Sequence, residues 1–338
     1  MDNTTFNRTF DGSLNPNFNY IGDFVVYIVI GCLGILDNGF VIIVILHSRK
    51  MRNKLCNLFI LNQSVVDLVA SVFLLCNSPS VPTLGSASNI SLEFYCRIWD
   101  SNYLFWAAVT WSTYNLVAIT IERYLEVVHP LRYRSFFTRR RAKVIVAVVW
   151  LVGFTIPIVT SVITSPAGAD GTCQKHRAWS SRLMAALVGF YALFFGFLLP
   201  VVIMIVCYTQ MIMTFNLKVR PSDPSTMISE SEKRRSERML RVRKSLIKTM
   251  LMVSIVFVIC WIGDQVYFFL FNIRVIKDLQ QTLTTIVVSL AFLNCCINPF
   301  IYTCQYNDFQ EATRRLLKIK KESENSERST LDLSNQKV

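Results

Sequence analysis

The sequence predicts an all-α membrane protein: a seven-transmembrane helix bundle with a short amphipathic, membrane-parallel helix after the seventh span. Three observations carry this. Of 338 residues, 52% are apolar or aromatic and only 17% are charged, against roughly 25% charged in an average soluble protein. Four uncharged stretches, Ser101–Ile121, Val144–Ala169, Leu183–Leu217 and Leu279–Asn307, each reach the ~20 residues a helix needs to cross a ~30 Å hydrocarbon layer. Three more, Phe24–Leu46, Leu55–Leu75 and Thr249–Phe271, are interrupted only by Asp37, Asp67 and Asp264 respectively. Lipid offers unpaired backbone groups no partner outside a helix or a closed barrel, and the strict alternation of barrel strands is not present.

In chain order, residues 1–23 read as an extracellular glycosylated tail and 24–305 as the membrane domain. The spans fall at about 24–46, 55–76, 98–124, 143–164, 184–213, 247–271 and 282–304, the amphipathic helix at 306–320, and a disordered cytoplasmic tail at 321–338. The first residues are polar, and the first apolar run is too long and too late for a signal peptide. With the N-terminus outside, the cytoplasmic segments hold 28 of the 35 Lys and Arg. That bias follows the positive-inside rule, so the net charge of +13 reports topology in a plasma-membrane protein rather than nucleic-acid binding. Three glycosylation sequons, at Asn3, Asn7 and Asn89, all fall outside. Of ten cysteines only Cys96 and Cys173 are clearly external, in an oxidising compartment where a bridge would tie the second outside loop to the third helix.

The inside loop Asn216–Lys248 ends in the basic run "EKRRSERMLRVRKSLIK", which reads as the sixth helix extending into the cytoplasm. After the seventh span, Phe309, Leu316, Leu317 and Ile319 set against Arg314, Arg315, Lys318, Lys320 and Lys321 describe an interfacial helix beside anionic membrane lipid. No internal repeat is visible, against a secondary transporter. No metal-ligand cluster or nucleophile–base pair suggests an enzyme, and His is scarce, at 47, 129 and 176.

Polar groups at membrane depth are functional candidates. Asn38, Asp67, Ser112, Asn294 and Asn298 recur at mid-depth in separate spans. Bundled, they converge on one hydrated pocket, either around a protonated Asp67 or around a hard cation such as sodium. Pro157, Pro200 and Pro299 remove backbone donors in spans four, five and seven and favour bends there. At the inner end of span three an acid and a base, Glu122 and Arg123, stand side by side.

Together, "IERY" ending the third span, Trp150 in the fourth, Pro200 and Tyr208 in the fifth, "FVICW" in the sixth and "NPFIY" in the seventh resemble the rhodopsin-like (class A) G-protein-coupled receptors, over roughly residues 24 to 320. The resemblance implies a non-enzymatic receptor that binds an extracellular ligand and activates a heterotrimeric G protein, with arrestin and receptor kinases as partners of the Ser-rich tail. Carried over residue by residue, it implies a sodium site at Asp67, Ser112, Asn294 and Asn298, an aromatic switch at Phe257 and Trp261, and an external disulfide between Cys96 and Cys173. It further implies activation elements at Glu122, Arg123, Tyr124, Tyr208, Asn298, Pro299 and Tyr302.

Four departures stand out. Gly263 replaces the usual sixth-helix Pro. Arg243 stands where many relatives place an acid, which leaves Glu122 as the acidic restraint on Arg123 and suggests high basal activity. Asp37 replaces a common Gly. Cys96 lies 27 residues before Arg123, two more than usual, so either the third helix starts with a distortion or the bridge is displaced. For the ligand, an amine receptor would need an acid where Phe105 stands, and an opsin a Lys within 282–304. The outer pocket instead offers Phe105, Trp106, Asp264, Gln265, Tyr267 and Phe268, which suit a peptide. "RYLEVVHPL" is similar to neuropeptide receptors of the somatostatin, galanin or allatostatin kind. A lipid or other small-molecule receptor is the alternative, ahead of a transporter or channel.

Overall fold

Among the described residues, seven helices long and apolar enough to cross a membrane run Val25–His47, Leu55–Cys76, Ser91–Val128, Arg139–Val162, Arg182–Thr214, Ile247–Asn272 and Thr282–Gln305. The computed structural model describes residues 16–77, 89–168, 173, 181–218, 230–276 and 281–317, with side chains at 25–76, 91–168, 173, 181–214, 245, 247–276 and 282–317. Asn3, Asn7, the Asn89 and Arg243 side chains and the Ser-rich tail lie outside these. Among the described residues no strand forms, only a bridge between Ala167 and Cys173.

The third span is the axis of the bundle, packed against the second, fourth and fifth, while the first packs on the second and seventh. It is also the most buried. The outer spans expose Leu36, Ile43, Val148, Leu151, Leu187, Val202 and Ile259, an apolar surface whose natural solvent is lipid. At Gly153 the fourth helix meets the third so closely that a Cβ would overlap the Trp111 indole. Trp111 stacks on Trp150 at 4.3 Å and donates its N–H to the Trp150 carbonyl at 2.7 Å.

Several boundaries differ from those read in the sequence. The first helix begins at Pro16, inside the segment read as tail, since proline suits a first helical position, where its missing N–H is not needed. The third span, expected over 98–124, runs Ser91–Val128, because the apolar face continues past Arg123 to the buried Val127. Its start is distorted: a wide π-helical turn at Tyr95–Asp100 is followed by Ser101 and a left-handed Asn102 (φ 57°) before the regular helix Tyr103–Val128. Cys96 lies in that turn and is bonded to Cys173. A wider turn holds more residues per rise, so the two extra residues are absorbed there and the bridge stays in place. Similar wide turns follow Pro157, at Ile158–Val162, and precede Pro200, at Phe194–Leu198. The sixth helix runs unbroken from Glu230 to Asn272, through Gly263.

The last helix, Asn307–Leu316, buries Phe309, edge-on to Phe40 at 6.3 Å. Lys50 pairs with Asp308 at 3.2 Å and Glu311 at 2.7 Å, and Lys54 also pairs with Asp308. Arg314 and Arg315 face outward.

Candidate ligand pocket and switch

Near the disulfide-bonded end of the bundle, spans three to seven enclose a cavity of ≈160 Å³. Trp106, Trp261, Asp264, Gln265, Tyr267 and Phe268 line it. Phe105 does not. It is buried behind the wall, edge-on to Phe292 at 4.7 Å and to Trp106 at 5.4 Å, because its neighbour Trp106 takes the cavity-facing side of the helix. Thr110, Thr113, Thr160, Ser161 and Gly196 also line the cavity. Thr110 and Thr113 were legible, four and seven residues after Trp106 and so on the same helical face. Asp264 is the one charged group among the lining residues. It is buried and accepts from Gln265 Nε2 at 3.1 Å, while Gln265 Oε1 has no partner among the described residues. Among the described residues this buried carboxylate has a single amide donor and no counter-charge, and a cationic group entering the cavity supplies one.

The cavity floor leads inward through rings. Trp106 meets Trp261 at 6.3 Å, Trp261 meets Phe257 at 6.4 Å, and Phe257 stacks on Phe197 at 6.2 Å. Below, Ser254 donates to the Tyr208 hydroxyl at 3.2 Å and Thr120 to the same oxygen at 3.4 Å. Tyr302 is wholly buried, and its hydroxyl has no hydrogen-bond partner among the described residues. Pro299, one residue before Phe300, sits buried in the same turn as Asn298.

At the other end Arg123 is held by two acids. Its Nε lies 2.6 Å from Glu122 Oε2, and its Nη1 pairs with Glu126. The expectation of Glu122 as sole acidic restraint is thus corrected. Glu126 stands three residues on, within reach on the same helical face. Tyr133, in the short helix Pro130–Phe136, donates to Glu122 Oε1 at 2.6 Å. Burial and the Glu122 carboxylate hold this phenol above its ordinary pKa, so it remains a donor. Tyr124 is turned aside, its hydroxyl 3.3 Å from His129 Nε2.

Asp67, Ser112, Asn294 and Asn298 are all buried and drawn toward the bundle centre. Asn298 Nδ2 donates to Asp67 at 2.9 Å, whereas Asn294 makes no hydrogen bond to Asp67 and its Oδ1 is unpartnered among the described residues. Asn38 instead ties the first span to the seventh, donating to the Gly34 and Cys295 carbonyls at 2.9 and 2.8 Å. Between Asp67 and Ser112 stands a residue not singled out in the sequence, Gln63, whose amide nitrogen lies 3.0 and 3.2 Å from the two Asp67 oxygens and 2.5 Å from Ser112 Oγ. The four residues do not fit the expected sodium ion: an N–H donor faces the oxygens that would coordinate it.

Fold and site thus define a seven-helix receptor of the rhodopsin type. The model for "7 transmembrane receptor (rhodopsin family)" matches residues 37–302, and the chain belongs to that family of G-protein-coupled signalling receptors, which are not enzymes. It is a multi-pass membrane protein. Among similar proteins, Somatostatin receptor type 4 of Rattus norvegicus is 30% identical over 304 residues, covering 86% of this chain and 71% of its own length. Galanin receptor 2a of Danio rerio is 25% identical, covering 86% and 77%, and the RYamide receptor of Drosophila melanogaster 29%, covering 84% and 60%.

Proposed function

We propose that the chain is a plasma-membrane receptor, N-terminus outside, that binds an extracellular peptide with a basic group and activates a heterotrimeric G protein. The observation that carries this is the buried Asp264, the one charged group among the described residues lining a cavity floored by Trp261. The somatostatin, galanin and RYamide receptors named above support a peptide over a lipid. An uncharged lipid ligand would leave Asp264 without its counter-ion.

Peptide contact with Trp106 and Trp261 would pass along the ring series to Phe257 and favour the bundle in which Arg123 leaves Glu122 and Glu126. Such a ligand shifts the equilibrium only by its differential affinity for that state. Arg123, freed, would face Tyr208 and the G protein. Tyr302, Asn298 and Pro299 supply the seventh-helix rearrangement. The Ser-rich tail would serve receptor kinases and arrestin, and Arg314 and Arg315 would lie on anionic lipid. Asn3, Asn7 and Asn89 would carry glycans.

The test is a library of basic neuropeptides applied to cells expressing the receptor, with cAMP and calcium as readouts. Wild type responds to at least one peptide and Arg123→Ala to none. Equal responses in the two would refute the coupling role.

A further inference from the structure

Asp67 is wholly buried at the centre of the bundle, where a carboxylate needs donors or a counter-charge. It has donors. The Gln63 amide nitrogen bridges both of its oxygens and reaches Ser112 Oγ, and Asn298 donates to Oδ2. Three of the oxygens that a hard cation would gather therefore face one amide nitrogen.

The orientation of that amide is dictated from both ends of a longer chain. Trp150 Nε1, which can only donate, points at Asn62 Oδ1 at 3.0 Å. Asn62 Nδ2 is thereby left to donate to Asn115 Oδ1 at 2.9 Å. Asn115 Nδ2 then donates to the Phe59 carbonyl at 2.9 Å and to Gln63 Oε1 at 2.8 Å. Gln63 Nε2 completes the series on Asp67, which as a carboxylate can only accept. Every amide in between has one orientation consistent with the indole at one end and the carboxylate at the other. Turning Gln63 round to offer its oxygen to a cation would set its N–H groups against those of Asn115. It would also strip a donor from Asp67.

We infer that the Gln63 carboxamide is an internal substitute for a sodium ion. It ties the second span to the third and, through Asp67 and Asn298, to the seventh, and the resting bundle is set without sodium. The amide series from Trp150 extends this tie to the fourth span. A cation bound to the folded state would stabilise it by mass action; here the place is already taken by part of the chain.

The test uses the purified full-length receptor without ligand, and so does not depend on what the receptor binds. Thermal unfolding midpoints are measured in NaCl, KCl and choline chloride at equal ionic strength, for wild type, Gln63→Leu and Asp67→Asn. The wild-type midpoint is the same in all three salts. Gln63→Leu, which removes the amide and keeps Asp67 and Ser112, unfolds earlier in choline chloride and regains stability as NaCl rises. Asp67→Asn shows no sodium response. A wild-type midpoint that climbs with sodium and not with choline overturns the inference, whether or not Gln63→Leu folds. So does a folded Gln63→Leu protein that gains nothing from sodium.

Discussion

Glu126 grips Arg123 from one turn beyond Glu122, so that the buried guanidinium is flanked by carboxylates on both sides. Glu122 is in turn fixed by the Tyr133 hydroxyl. Among the described residues the restraint on Arg123 thus lies within the third span and the short helix after it.

Loosening that grip should raise ligand-free signalling. A hydrogen bond to a charged group contributes about 1.5–3 kcal/mol, so Glu126→Gln and Glu122→Gln should each raise basal G-protein activation by about 10-fold or more. Because both acids share one guanidinium, the double variant should fall short of the product of the two effects. Tyr133→Phe should give a smaller rise. Nucleotide loading of G protein in membranes without ligand reads all four.

Asp264→Asn removes the pocket's charge with little change of shape. Truncating one partner of a buried charge pair costs about 2–5 kcal/mol, so affinity for a basic peptide should fall by roughly 30-fold or more. Competition binding checks this, and a peptide whose basic residue is replaced by a neutral one should lose nothing further in the variant.

The last helix should undock at both extremes of pH. Burial lifts Asp308, but Lys54 and Lys50 outweigh it and hold the carboxyl below its ordinary 3.8. The hydrogen bond from Lys50 holds Glu311 below 4.5, and the Glu311 bond in turn raises Lys50 above 10.5. A depressed acid stabilises above its unfolded pKa and loses that contribution as pH falls, whereas a raised lysine stabilises below its unfolded pKa and loses it as pH rises. Docking is therefore strongest between about 4.5 and 10.5, and high salt weakens it. Spin labels at positions 53 and 314, in a protein lacking the exposed Cys32, Cys76 and Cys304, should separate as pH falls below 3.8.

Gly153→Ala should destabilise the bundle, because its methyl group would fall within the Trp111 indole. Overpacking of this kind costs about 1–3 kcal/mol. A lower thermal midpoint should be partly restored by shrinking the partner, in Gly153→Ala with Trp111→Leu.

The number and order of the spans were legible because lipid demands length and apolarity, and seven segments meet both. The candidate switch residues could be named because they stand in short patterns in separate spans. What one-dimensional reading missed were partners chosen by helical geometry. Gln63 lies one turn before Asp67, and Glu126 one turn after Arg123, each within reach of its partner only once the chain is helical. Phe105 was placed in the outer pocket beside Trp106, and the helix turns it instead toward Phe292. The two-residue excess after Cys96 was visible as a number, but its solution, a wide turn closed by a left-handed Asn102, depends on backbone geometry that no composition reports.

The central claim, that this receptor turns peptide contact at Asp264 into G-protein activation through Arg123, is tested most directly by nucleotide exchange with purified components. Wild type, Asp264→Asn and Arg123→Ala are each placed in lipid nanodiscs with heterotrimeric G protein and a basic peptide found by screening. The account predicts peptide-stimulated exchange with wild type, a response shifted to higher peptide concentration with Asp264→Asn, and none with Arg123→Ala despite retained peptide binding. Undiminished exchange with Arg123→Ala, or an unshifted response with Asp264→Asn, would contradict it.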